Sequence, residues 1–232
     1  MKRVIVALLG MVSACCAPRA RPDSRVACTL ESRACEDRCL AGAADACVAL
    51  AHLHLESAFE IALGKRADDH RDHSDSARRL FRHACDLRNG AGCLGVANSL
   101  ATSGDSVSAA TIYAQACSLG SAGGCASLAD AYSRGLGVEV NDAESERLRA
   151  RAAQLYKRGC EDGNADDCHS LALMQDPPER AASFLSACRA GRVADCLEAS
   201  ETYRALGKIE AADAARQEAC RRGDKASCLP SD

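Results

Sequence analysis

Residues Ala116 to Cys160 read ACSLGSAGGCASLADAYSRGLGVEVNDAESERLRARAAQLYKRGC, and the opening run from Ala116 to Cys125 decides how the chain folds. Cys117 and Cys125 stand eight positions apart. On one straight helix that spacing separates the two Cα atoms by roughly 12 Å, whereas a disulfide tolerates about 7 Å at most, so a bridge between them requires the chain to reverse. Gly120 lies in the linker, where a left-handed residue closes the preceding helix. Beyond the corner, Cys125, Leu128, Ala129 and Tyr132 fall at i, i+3, i+4 and i+7, the apolar stripe of a second helix.

The same unit recurs along the chain. Cys39 with Cys47, Cys85 with Cys93, Cys160 with Cys168, Cys188 with Cys196, and Cys220 with Cys228 repeat the spacing, so twelve of the sixteen cysteines form six such pairs. A random scatter gives about one. Each linker carries a glycine expected to turn the corner: Gly42, Gly90, Gly120, Gly163, Gly191 and Gly223. Four residues before the first cysteine stand Phe81, Tyr113, Tyr156 and Phe184, and eight before it Ala77, Ala109, Ala152 and Ala212, which share one helical face. With Tyr132 and Tyr203 on the second helices, six of the seven aromatics occupy these two positions, which makes them core knobs rather than a binding surface. The units follow one another at about thirty residues, longer where Leu55 to Ser76 and Val138 to Arg151 are inserted, and such periods belong to helix-pair solenoids. The expected fold is all-α: a solenoid of antiparallel helix pairs with one disulfide at each repeat corner, the bridges substituting for a core without tryptophan.

The amino terminus bears on where such bridges form. Met1-Lys2-Arg3 is a short positive region, Val4 to Val12 is apolar but too short to span a bilayer, and Val12-Ser13-Ala14-Cys15 follows. These residues resemble a bacterial lipoprotein signal. That resemblance implies a signal peptide over residues 1–14, cleavage after Ala14 and lipidation of Cys15. An ordinary secretory leader is the alternative, and either exports the chain to a compartment that suits disulfides. Residues 15–32, with Pro18 and Pro22, read as a flexible tether, and residues 33–232 as the helical repeat domain. Removing Lys2 and Arg3 with the leader leaves 27 basic against 32 acidic side chains, a net charge of −5 that gives no electrostatic case for nucleic acid.

Ala116 to Cys160 carries a further resemblance. The small residue before each cysteine, the Leu128 and Tyr132 helix, the Gly135-Leu136-Gly137-Val138 loop, Asp142 and the Leu155-Tyr156 pair are similar to the Sel-one-like repeat proteins, relatives of the tetratricopeptide solenoids, and among them to the secreted cysteine-rich proteins of the Hcp type. Weaker copies extend from about Arg38 to the end; only one unit carries the full glycine-valine loop. The resemblance implies an adaptor that presents helix faces opposite the aromatic stripe to an envelope protein or peptide. Hcp-type relatives also imply a second reading, a weak β-lactamase that binds or slowly hydrolyses penicillins, with binding of a β-lactam or peptidoglycan fragment without catalysis between the two.

Chemistry for the second reading is missing from the residues. No Ser-x-x-Lys, Ser-Asp-Asn or Lys-Thr-Gly occurs, so no catalytic residue is assigned. Asp68-Asp69-His70-Arg71-Asp72-His73-Ser74-Asp75 has a His-x-x-His spacing but no apolar scaffold and reads as a solvated insertion; His52 and His54 point to different faces of one helix, and His169 stands alone beside Cys168 as a surface residue. No Cys-x-x-Cys knuckle is present, so neither a metal nor another cofactor is assigned. Of the cysteines left over, Cys28 and Cys35 offer a seventh bridge, and Cys16 is left free, acylated or linked to another chain. At the carboxyl end the chain stops just past Cys228, and the last bridge is expected to pin this stub over the end of the preceding helix pair.

Overall fold

The computed structural model describes residues 28–29, 33–62 and 67–228. Eleven α-helices are found there: α1 (Arg33–Leu40), α2 (Ala44–Ala62), α3 (Ala67–Asp86), α4 (Gly90–Thr102), α5 (Ser106–Ser118), α6 (Ala122–Arg134), α7 (Asp142–Glu161), α8 (Ala165–Leu173), α9 (Pro177–Arg189), α10 (Asp195–Ala205) and α11 (Ile209–Arg221), followed by a 3-10 turn (Lys225–Cys228). No strand occurs among the described residues. Each helix packs on the next, and α2, α4 and α6 also touch one another in a row, as do α9 and α11. This is the expected all-α solenoid of consecutive helix pairs.

Every corner is built alike. The N–H of the residue four after the first cysteine bonds back to the carbonyl of the residue preceding that cysteine: Ala43 to Arg38, Asn89 to Ala84, Ser121 to Ala116, Asn164 to Gly159, Arg192 to Ala187 and Asp224 to Ala219, at 2.8–3.0 Å. That is the long bond of a Schellman closure, which satisfies carbonyls the ending helix leaves open. Asn89, Ser121 and Asn164 then turn their side chains onto N–H groups of the following helix, so one residue ends a helix and caps the next.

The second corner departs from the sequence expectation. Gly42, Gly120, Gly163, Gly191 and Gly223 have positive φ, but at the second corner the left-handed residue is Arg88, at φ 60°, and not Gly90. The left-handed place lies three residues after the first cysteine, and Gly90 lies five after it, as the first residue of α4. Its role is close approach: a Cβ there would meet Ser121 Cβ and N at 3.1 Å and the Ala116 carbonyl oxygen at 3.2 Å, all on the next corner.

Helix approach at the corner is set by the residues just before each cysteine. A Cβ on Gly92 would lie 2.5 Å from Ala84 Cβ, one on Gly124 2.6 Å from Ala116 Cβ, and one on Gly159 1.9 Å from Asp167 Oδ2. These three corners hold their bridged Cα atoms at 4.4–4.5 Å, whereas the corners that face Arg38 with Ala46, Ala187 with Asp195, and Ala219 with Ser227 hold them at 4.8–5.0 Å. A glycine on either side lets the hairpin close further, to 4.4–4.5 Å from 4.8–5.0 Å. Gly124→Ala is therefore expected to widen its corner toward the looser class at a cost of about 2 kcal/mol, read as a lower urea midpoint. An unchanged midpoint removes this account of the tight corners.

The core matches the composition. Apart from Leu50, Leu128, Leu148, Leu171, Phe81, Tyr113 and Phe184, every fully buried hydrophobic side chain among the described residues is alanine or cysteine. Small side chains let the helices approach but supply little apolar area each. The carboxyl-terminal stub is one 3-10 turn lying against α11, with Asp224 accepting from Ser227 and from the Ala226 N–H.

Candidate functional site: two clefts joined at Asn98

The row α2, α4, α6 frames two neighbouring clefts. The first, about 400 Å³, is lined by Leu55 of α2, Arg78 and Phe81 of α3, and Leu94, Gly95 and Asn98 of α4. Gly95 determines its depth. A Cβ at that position would fall 2.4 Å from the Phe81 ring, so the bare backbone is what lets the ring lie across α4. His52 meets the same ring edge-on, with centroids 5.3 Å apart. Leu55 is partly exposed at the cleft, and Phe59, one turn further along α2, is 66% exposed. Phe59 is the one aromatic outside the repeat positions, and its departure from them marked it in the sequence as different from the core knobs.

The second cleft, about 500 Å³, lies between α5 and α6, with Tyr113, Ser127, Asp130 and Leu136 among its walls. Burial raises the Tyr113 phenol above its ordinary pKa, which keeps the hydroxyl a donor. It donates to Asn98 Oδ1 at 2.9 Å. Asn98 stands in the wall of the first cleft and is oriented from the second, with its carbonyl end engaged and its amide N–H₂ as the remaining donor group. A mostly apolar cleft and a mixed polar and apolar one flanking an oriented amide suit an extended peptide, whose side chains enter the clefts while its carbonyls accept from the amide.

The bridges occupy the corners. Cys39–Cys47, Cys85–Cys93, Cys117–Cys125, Cys160–Cys168, Cys188–Cys196 and Cys220–Cys228 each join a helix end to the start of the next element. A seventh, Cys28–Cys35, fastens Cys28 to α1 from within the stretch read as tether. Cys15 and Cys16 lie outside the described residues. Cys39, Cys47 and His83 bring their ligand atoms within 4.8 Å of one another, but the two sulfurs are bonded together and offer no thiolate to a metal.

The histidines fall differently from their sequence reading. The Asp68 to Asp75 stretch is helical, part of continuous α3, and α3 as a whole packs along α2. His73 meets His54 of α2, Nδ1 to Nδ1, at 2.8 Å. Burial, then the facing His73, holds the His54 pKa below the usual histidine range, against the opposing pull of Glu36. The folded state thus favours neutral His54; its contribution is complete above the unfolded value of about 6.5 and is lost as pH falls through the lower folded value. The melting midpoint is expected to fall on acidification below about pH 6.5, and to fall less in His54→Gln. Identical pH profiles for the two proteins would contradict this.

His169 is not an isolated surface residue. Its Nδ1 lies 3.1 Å from both oxygens of Asp195, which is 2% exposed. Arg192 Nε donates to the same carboxylate at 3.0 Å and reaches Asp166 at 2.7 Å through its other arm. The group ties the α8 start to the α9–α10 corner, compensating a carboxylate that burial alone would disfavour. Buried hydroxyls are likewise structural: Ser145 donates to the Ala129 carbonyl, Ser200 to that of Ala212 and Ser183 to Gln175 Oε1, at 2.6–2.8 Å, so none of the three is paired with a base that would activate it.

No protein-family model and no curated protein matches the chain. Among solved structures it is similar to a putative sel1 repeat protein from Klebsiella pneumoniae subsp. pneumoniae, with a TM-score of 0.50 and 16% identity over 84% of this chain and 95% of that one. It also matches a Sel1 repeat protein from Oxalobacter formigenes, TM-score 0.46 and 20% identity over 83% and 76% of the two chains. A protective antigen of uropathogenic Escherichia coli strains, c5321, which displays an SLR fold, gives TM-score 0.33 and 17% identity over 83% of this chain and 56% of that one. The helix pairs, their order and this likeness together give the chain the α-solenoid fold of Sel1 repeat proteins.

Proposed function

We propose that the chain is an exported, lipid-anchored adaptor that binds an extended segment of a partner protein or peptide in the bacterial cell envelope. Repeat proteins of this fold serve protein interaction, and the observation that carries the reading here is the pair of clefts meeting at an amide oriented by Tyr113. The envelope assignment rests on the lipoprotein-like leader before Cys15 and on bridges at the six repeat corners, which suit an oxidising compartment. The proposed attachment is through a lipid on Cys15; no described helix is long and apolar enough to cross a membrane.

Selection of displayed peptides against the disulfide-intact chain tests the binding surface. Peptides with an apolar residue placed to enter the Leu55–Phe81 cleft are expected, and Asn98→Ala and Leu55→Glu are each expected to weaken them at least tenfold, about 1.4 kcal/mol. Binders indifferent to both substitutions would move the interface elsewhere on the solenoid.

A further inference from the structure

We infer that His54 and His73 form a two-imidazole site for a divalent first-row transition cation of the zinc, nickel or copper type. The two Nδ1 atoms lie 2.8 Å apart and the ring centroids 5.1 Å apart, so the rings meet nearly nitrogen to nitrogen between α2 and α3. One Nδ1 donates a proton and the other accepts it, which means that both nitrogens already converge on one small volume. Metal–nitrogen bonds of about 2.0–2.1 Å place two ligating nitrogens roughly 2.9 Å apart at a right angle and roughly 3.3 Å apart at a tetrahedral one. The pair therefore needs to open by about half an ångström at most, with a swing of each ring that turns its lone pair toward the cation.

The surroundings allow that exchange of a proton for a metal. Both imidazoles are half-buried, so the rings have room on the solvent side and water completes the coordination shell. Burial keeps His54 in the neutral form a metal requires. The Glu36 carboxylate on α1 bears on His54 and favours a cation, while Arg79 on α3 opposes it. Because the ligands come from two helices, binding clamps the α2–α3 hairpin, whose helices are the longest in the first half of the solenoid. The partner that His73 meets lies 19 residues away along the chain.

The test uses the full disulfide-intact chain, free of an affinity tag and stripped with chelator, titrated with Zn²⁺ and with Ni²⁺ at neutral pH. One equivalent is expected to bind, and at about a hundredfold excess over Kd the melting midpoint is expected to rise by roughly 5–10 °C. His54→Gln and His73→Gln should each weaken binding at least tenfold and abolish the rise, while His83→Gln should leave both unchanged. Binding that survives both pair substitutions, or none up to about 1 mM metal, overturns the site. Should a variant fail to fold, the natural chain decides: paramagnetic Ni²⁺ broadening the His54 and His73 ring resonances ahead of the other imidazoles supports the site, and broadening another histidine first overturns it.

Discussion

Reducing all seven bridges is expected to unfold the protein. In the chain-entropy model, a closed loop as short as each corner contributes roughly 2.5 kcal/mol, and because the seven loops do not overlap their terms add to about 17 kcal/mol, beyond the 5–15 kcal/mol that domains typically retain. Even if native-state strain halves that figure, the remainder is comparable to the whole stability. Little else can compensate, because the core is alanine and cysteine around four leucines and three aromatics. Cys228 is exposed while Cys93, Cys125 and Cys196 are fully buried, so the carboxyl-terminal bridge should open first under mild reductant. Far-UV circular dichroism against reductant concentration, with mass mapping of the thiols released, follows the sequence of events. A fully reduced chain that still melts cooperatively near its oxidised midpoint would show that packing alone holds the helix pairs.

The second large effect is expected at Gly137. Its φ is +75°, and a Cβ placed on it would lie 2.1 Å from the Ser106 carbonyl oxygen and 2.6 Å from the Val107 N. Both neighbours are backbone at the start of α5, so no side chain can swing aside. Gly137→Ala must displace either the α6–α7 loop or the α5 start, and the left-handed conformation adds its own penalty, together about 3 kcal/mol. For a chain of this size that lowers the melting midpoint by roughly 6–12 °C. Gly207, at φ +71°, has nothing within 4 Å of such a Cβ, so Gly207→Ala should cost only about 1 kcal/mol, the conformational part alone. Equal losses at the two positions would mean that the contact with α5 contributes nothing.

What was legible in the sequence follows the distance over which each contact acts. Cys117 and Cys125 lie eight residues apart, and a bridge across so short a span has only a reversing chain available to it; repeated six times, it prescribes helix pairs and a solenoid. The aromatic positions were legible for the same reason, since helical periodicity is local. At the second corner a glycine is present but displaced: Gly90 stands five residues after the cysteine, and Arg88 takes the left-handed place three residues after it.

The residues themselves thus determined the corners and the helix faces. Tertiary packing alone decided which groups meet across helices: His54 with His73, His169 with Asp195, Tyr113 with Asn98, and the Gly137 backbone with that of Ser106. Those meetings depend on how closely neighbouring helices approach, and that approach is set at the corners by whether glycine, alanine or aspartate faces its partner. Neither local propensity nor spacing along the chain encodes such a distance.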